Sequence, residues 1–110
     1  MGPVGNNHNS AVLEIEIIAD DGTDVRVAVA GELDMSNVEA FEREIGHVLT
    51  RPPRRLVIDV GGLTFADSSG IALWVRLASA VEQFALDNPS PLLRRVIVTM
   101  GLASKLGVRP

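Results

Sequence analysis

The chain has 110 residues, 46% of them apolar and 22% charged, with a net charge of −4 and no cysteine. That length suits one domain burying roughly two-thirds of its unfolded surface, and the composition is that of a folding chain rather than a disordered one. The acidic balance argues against nonspecific binding to nucleic acid or anionic membrane, the lack of thiols excludes disulfides, thiolate catalysis and zinc-thiolate sites, and no apolar run approaches the ~20 residues that cross a bilayer.

Residues 1–10 lack the basic start and apolar centre of a secretory signal and read as a flexible lead-in to a single domain over 11–110, in a cytoplasmic protein. From Ala11 to Ile18, Leu13, Ile15 and Ile17 alternate with Glu14 and Glu16, the period of a strand with one wet face. Asp21-Gly22 supplies a turn. Val25, Val27 and Val29 then alternate with Arg26, Ala28 and Ala30, which makes the opening a β-hairpin.

The period then changes. Val38, Phe41, Ile45, Val48 and Leu49 share one helical face while Glu39, Glu42, Arg43 and Glu44 point away. Ser36 and Glu39 have the spacing of a capping box, and Pro52-Pro53 stops the helix after Arg51. "LVIDV" (Leu56 to Val60) reads as a short strand covered on both faces and bounded by Arg54-Arg55 and Gly61-Gly62. Ile71 to Val81 is a helix apolar nearly all round, with Trp74 expected in the core, the alternative being an exposed anchor for a partner. "QFALD" is read as the last strand. Ser90 as cap, Pro91 at the first helical position and Gly101 at the end mark a final helix. The expected order is β-β-α-β-α-β-α, about four strands in a mixed α/β sheet with helices packed on it.

Between the third strand and the second helix lies Asp67-Ser68-Ser69-Gly70. Asp and Ser are favoured helix caps, and Gly permits close backbone approach, so a purely structural role explains one or two of these residues. A nucleophile elbow would need Gly two positions before the serine, where Ser68 has Ala66 and Ser69 has Asp67, and the histidines available as a base are His8 and His47. A serine hydrolase is therefore a poor reading. A phospho-acceptor asks less, because the amides and dipole at a helix start tolerate a phosphate and a kinase brings its own base and metal. Gly61-Gly62 lacks the dinucleotide-loop pattern, Glu32 and Asp34 read as strand end and helix entry, and no metal or other cofactor is assigned.

"VAVAGELDMSNVEAF", "LVIDVGGLTFADSSGIALWV" and "DNPSPLLRRVIVTMGLASKLGV" together resemble the STAS domain family, specifically bacterial anti-sigma factor antagonists, or anti-anti-sigma factors. The resemblance implies a mixed sheet with helices on one side and a protein that is not itself an enzyme. It further implies that the unphosphorylated protein binds an anti-sigma factor with ATP-dependent serine kinase activity and so releases a sigma factor. Phosphorylation of the first serine of the block, Ser68, would switch it off, and a serine phosphatase would reset it. Asp67, Ser69 and Gly70 would surround the acceptor, Ser69 serving as cap, and Glu32, Leu33 and Asp34 would lie near the partner surface. A STAS scaffold or ligand-sensing module that does not act on a sigma factor is the alternative. The span from Gly70 to Asn88 is shorter than the family pattern and lacks the usual Gly-rich turn.

Overall fold

The computed structural model describes residues 12–108. The expected lead-in, residues 1–10, lies outside them. The elements are β1 (Leu13–Asp20), β2 (Asp24–Leu33), α1 (Val38–Leu49), β3 (Arg55–Ala66), α2 (Ser68–Ala80), β4 (Gln83–Asp87) and α3 (Pro91–Thr99), in the expected order. They build one sheet ordered β1-β2-β3-β4, in which β1 and β2 are antiparallel and the other neighbours parallel.

Local chemistry explains the joints. In the hairpin, Gly22 takes φ +85°, and the Asp21 carboxylate accepts the N–H groups of Thr23 and Asp24 at 2.9 and 2.7 Å. Val81 and Glu82 alone join α2 to β4, so the chain passes from helix to strand without a glycine. Ser90 caps α3 by accepting the Leu93 N–H at 3.1 Å, with Pro91 in the first turn and Gly101 at φ +74°. Past α3, the Leu86 N–H of β4 donates to the Leu106 carbonyl at 3.0 Å, so the tail covers the far edge of the sheet.

The two parallel crossovers step the same way across the sheet, and the right-handed rule then places α1 and α2 on the same face. Val25, Val27 and Val29 of β2 and Leu56, Ile58 and Val60 of β3 pack there with Phe41 and Ile45 of α1 and Ile71, Leu73, Trp74 and Leu77 of α2. Trp74 is fully buried, as the core reading expected. Truncating an aromatic side chain so enclosed costs about 3–5 kcal/mol.

Two local expectations are corrected. Gly61-Gly62 does not end the third strand: β3 runs on to Ala66. Between the pairs Ala28↔Asp59 and Ala30↔Gly62, and again between Gly31↔Leu63 and Glu32↔Phe65, β3 carries one residue more than β2. These are bulges, and glycine suits the first because a Cβ on Gly62 would stand 2.8 Å from that of Ala30. Ser36 and Glu39 do not form the capping box either. The Ser36 hydroxyl donates to the nearer Asp34 carboxylate at 2.6 Å, and the Asp34 carbonyl accepts the N–H groups of Asn37 and Val38 at 3.1 and 2.9 Å. Asp34 thus takes the N–H groups at the entry to α1, and Asn37, its N-cap, makes no side-chain cap bond.

Candidate functional site

Parallel strands and their crossover helices bring the carboxyl ends of β2 and β3 together with the amino ends of α1 and α2, the usual place for a site in such a sheet. At the β3–α2 joint the backbone bends at Asp67, the N-cap, whose side chain accepts the N–H groups of Ser69 and Gly70 at 2.9 and 3.3 Å. The Ser69 hydroxyl donates to the same carboxylate oxygen at 2.5 Å. Asp67 is therefore the cap, and the expectation that Ser69 caps is corrected. An acceptor with two oxygens and a full charge, two residues nearer the strand, outcompetes a hydroxyl for the leading amides of the helix.

This arrangement stabilises the charged carboxylate. The Ser69 hydroxyl, against partial burial, and then the N–H groups of Gly70, Ser69 and Met35 hold the Asp67 carboxyl below its ordinary value. The Met35 contact comes from the neighbouring loop, and the Asp67 N–H donates back to the Leu33 carbonyl at 3.1 Å. Asp67 thus ties the two joints together. Beneath it, Gly70 lies against Leu33, where a Cβ would fall 2.7 Å from the leucine Cδ2.

The β2–α1 joint is built on the same plan. The Asp34 carboxylate accepts the Ser36 N–H at 2.8 Å as well as the Ser36 hydroxyl. Asn37 then braces the loop, its Oδ1 accepting from the Asp34 N–H at 3.0 Å and its Nδ2 donating to the Glu32 carbonyl at 2.8 Å. Each turn pushes its middle residue outward: Met35 in one, 78% exposed, and Ser68 in the other, also exposed.

Of the residues singled out in the sequence, Ser68 is the first helical residue of α2, and its hydroxyl makes no hydrogen bond to the described residues. Asp67 and Ser69 are half-buried beside it. Leu33 and Gly70 are buried, so they support the turn from within and offer no surface to a partner. Asp34 is half-buried and shapes its loop, and Glu32 is exposed at the end of β2 opposite Phe65. The sequence reading missed Met35, Asn37 and Phe65. Phe65 is 51% exposed because of the second bulge: strict alternation from Leu63 would have turned it into the core.

The chemistry available is limited. Among the described residues no His, Cys, Asp and Glu cluster could hold a metal. His47 sits in the last turn of α1, about 14 Å along the axis from the end that meets the site, too far to activate Ser68. Among the described residues no helix is long and apolar enough to cross a membrane. What remains is an accessible hydroxyl on a hydrogen-bonded turn, with the exposed side chains of Met35 and Phe65 on the neighbouring segments.

Comparison with known proteins gives that surface a context. A family model described as "Mlab, STAS domain" matches residues 18–108. The anti-sigma-F factor antagonist RsfB of Mycobacterium tuberculosis is 30% identical over 88 residues, covering 77% of this chain and 72% of RsfB. An anti-sigma factor antagonist from Mycobacterium paratuberculosis superposes with a TM-score of 0.80 at 28% identity, over 90% of this chain and 86% of that one. SpoIIAA, an anti-sigma factor antagonist solved in its unphosphorylated form, gives a TM-score of 0.68 at 25% identity, over 84% of each chain. The phosphorylated form of SpoIIAA, a Bacillus cell fate determinant, gives 0.65 at 26%, over 84% of this chain and 86% of that one. With a family match across nearly all the described residues and the same mixed four-stranded sheet, the chain belongs to the STAS domain family, in a neighbourhood of anti-sigma factor antagonists.

Proposed function

We propose that this protein is an anti-sigma factor antagonist whose unphosphorylated form binds an anti-sigma factor that is also an ATP-dependent serine kinase, freeing the sigma factor held there. Phosphorylation of Ser68 ends the complex, and a serine phosphatase restores it. The observation that carries this reading is the division of labour between adjacent serines: Ser69 is engaged on Asp67, while Ser68 stands exposed on the first turn of α2. That a related antagonist, SpoIIAA, exists in phosphorylated and unphosphorylated forms supports it further.

The physical logic is electrostatic. A phosphate on Ser68 gains from the helix N-terminus but adds about −1.5 to −2 charge beside the ionised Asp67 carboxylate, on a surface that otherwise presents a neutral hydroxyl and apolar side chains. A partner packed against Met35 and Phe65 would have to desolvate that charge, which reverses the balance of binding. This protein supplies no catalytic group: the kinase brings the nucleotide, the metal and the base. Glu32 and Asp34 shape the rim of the docking face, Leu33 and Gly70 its foundation.

The test is affinity purification from the native organism with wild type, Ser68→Ala and Ser68→Glu, followed by mass spectrometry. A kinase-fold anti-sigma factor retained by wild type and Ser68→Ala, and lost with Ser68→Glu, is expected. If all three forms retain the same proteins, or none retains an anti-sigma factor, Ser68 is a helix-start residue and the switch is wrong.

A further inference from the structure

The second bulge of β3 changes which way the last residues of the strand face. It removes an aromatic ring from the core face and leaves Phe65 half-exposed next to Glu32. Bulges that re-aim a side chain in this way cluster beside functional sites. The ring does not stand alone. With Leu63, Leu92, Leu93 and Val96 it lines a cleft of about 130 Å³ between the end of β3 and the first turns of α3, and Leu92 on its rim is 69% exposed.

The cleft also has two hydroxyls, and both are engaged on the backbone. Thr64 Oγ1 donates to the Gly31 carbonyl at 3.1 Å, and Ser90 Oγ accepts the Leu93 N–H at 3.1 Å. What the cleft offers an incoming group is therefore apolar contact. Its volume is close to that of an apolar protein cavity able to take up a benzene molecule, roughly 150 Å³. That is room for one large side chain. A pocket that holds one side chain covers only a small part of the roughly 1,200–2,000 Å² that a stable protein interface buries, so it works as one socket within a wider surface. The surface it runs into is the Ser68 turn: Phe65 lies two residues before Asp67, the cap that follows β3, and Ala66, also in the lining, pairs with Leu33.

We propose that this cleft is the apolar socket of the docking face, taking one large aliphatic or aromatic side chain of the anti-sigma factor that meets Ser68. The inference rests on the function proposed above and adds a contact that the serine does not supply. Ser68 then controls whether the complex forms, and the Phe65–Leu92 cleft provides much of its apolar anchoring.

The experiment measures binding of each purified anti-sigma factor of the native organism to the immobilised full chain, as wild type, Phe65→Gln, Leu92→Arg, Val98→Arg and Ser68→Glu. Val98 is an equally apolar, exposed residue of α3 (56%) outside the cleft and serves as the control. Circular dichroism and thermal melts confirm that each variant is folded. The expected result is an affinity loss of tenfold or more for Phe65→Gln and Leu92→Arg, with Val98→Arg within twofold of wild type. If Leu92→Arg and Phe65→Gln bind like wild type while Ser68→Glu does not, the socket is overturned and the serine switch stands. If no anti-sigma factor binds wild type, the functional reading falls and the socket with it. If wild type instead elutes as a dimer that Leu92→Arg dissociates, the occupant is a second copy of this chain and the proposal is overturned in that direction.

Discussion

The β2–α1 and β3–α2 joints are two executions of one local device, an Asp-x-Ser turn in which the carboxylate takes both the N–H and the hydroxyl of the serine two residues on. They differ in the residue displayed at x and in the residue that follows the serine. The first turn shows Met35 and is braced by the side chain of Asn37; the second shows Ser68 and is followed by Gly70, which has no side chain and sits hard against Leu33. The comparison explains why the two adjacent serines are not equivalent. In an Asp-x-Ser turn the second hydroxyl belongs to the turn, and the residue at x is left for an outside partner.

The difference can be tested first where it is sterically strongest. A Cβ on Gly70 would lie 2.7 and 2.9 Å from Leu33 Cδ2 and Cγ, and Leu33 is fully buried, so the leucine cannot simply swing aside. Gly70→Ala is expected to cost about 1–3 kcal/mol through overpacking and to displace the loop carrying Met35. The corresponding position in the first turn carries a side chain already, and Asn37→Ala should cost about 1 kcal/mol, since its side chain bonds the Asp34 N–H and the Glu32 carbonyl. Urea unfolding of the two variants checks the order. Equal midpoints would mean that the close Gly70–Leu33 contact does not distinguish the joints.

Next comes the carboxylate itself. Asp67→Ala removes the N-cap of a helix that carries Trp74 and the centre of the core, and should cost about 1–2 kcal/mol, lowering Tm by roughly 4–8 °C per kcal/mol for a domain of this size. Asp34→Ala should cost less, because the backbone carbonyl of Asp34, which survives the substitution, already satisfies the amides of Asn37 and Val38. Calorimetry on both variants tests this. A larger loss for Asp34→Ala would invert the hierarchy of the two turns.

These joints also show what the sequence made legible. The hairpin, the helices and the final Ser90-Pro91 cap follow from periodicity and turn chemistry that act within a few residues, and they appear where expected. The core position of Trp74 follows from the apolar character of its helix. The length of β3 was not legible, because Gly61-Gly62 looks the same whether it ends a strand or bends one. Only the register against β2 decides between them, and register is a non-local property. The same holds for Phe65: its exposure depends on the extra residue at the second bulge, which no pattern within β3 announces. At α1 the capping box failed by local competition, since Asp34 lies nearer to Ser36 than Glu39 does. At α2, Asp67 and Ser69 were both plausible caps, and geometry alone separates them.

A pH titration sharpens the comparison further. The Asp67 carboxyl is held below its ordinary value near 3.8, chiefly by the Ser69 hydroxyl and then by the N–H groups around it. A group whose pKa is depressed in the folded state adds stability that is fully present above the unfolded pKa and is lost as pH falls through the folded one. Wild type should therefore exceed Asp67→Asn in stability by a constant margin from about pH 5 to 7, and the margin should shrink as the pH drops below about 4. Urea midpoints of the two proteins across that range give the answer. A margin that widens in acid would mean that the carboxyl is better held protonated than ionised, contrary to the contacts it makes.

The smallest effect is the most discriminating between the serines. Ser69→Ala removes a hydroxyl that is half-buried and bonded to an ionised carboxylate, so it should cost about 1 kcal/mol and relax the turn that displays Ser68. Ser36→Ala removes the same contact from an exposed turn, where water replaces it, and should cost a few tenths of that. Ser68→Ala removes a hydroxyl with no partner among the described residues and should leave stability unchanged within about 0.5 kcal/mol. The ranking is measured by chemical denaturation of the three variants side by side. If Ser68→Ala were the most destabilising, its hydroxyl would be part of the fold after all, and the division of labour between Ser68 and Ser69 would have to be reversed.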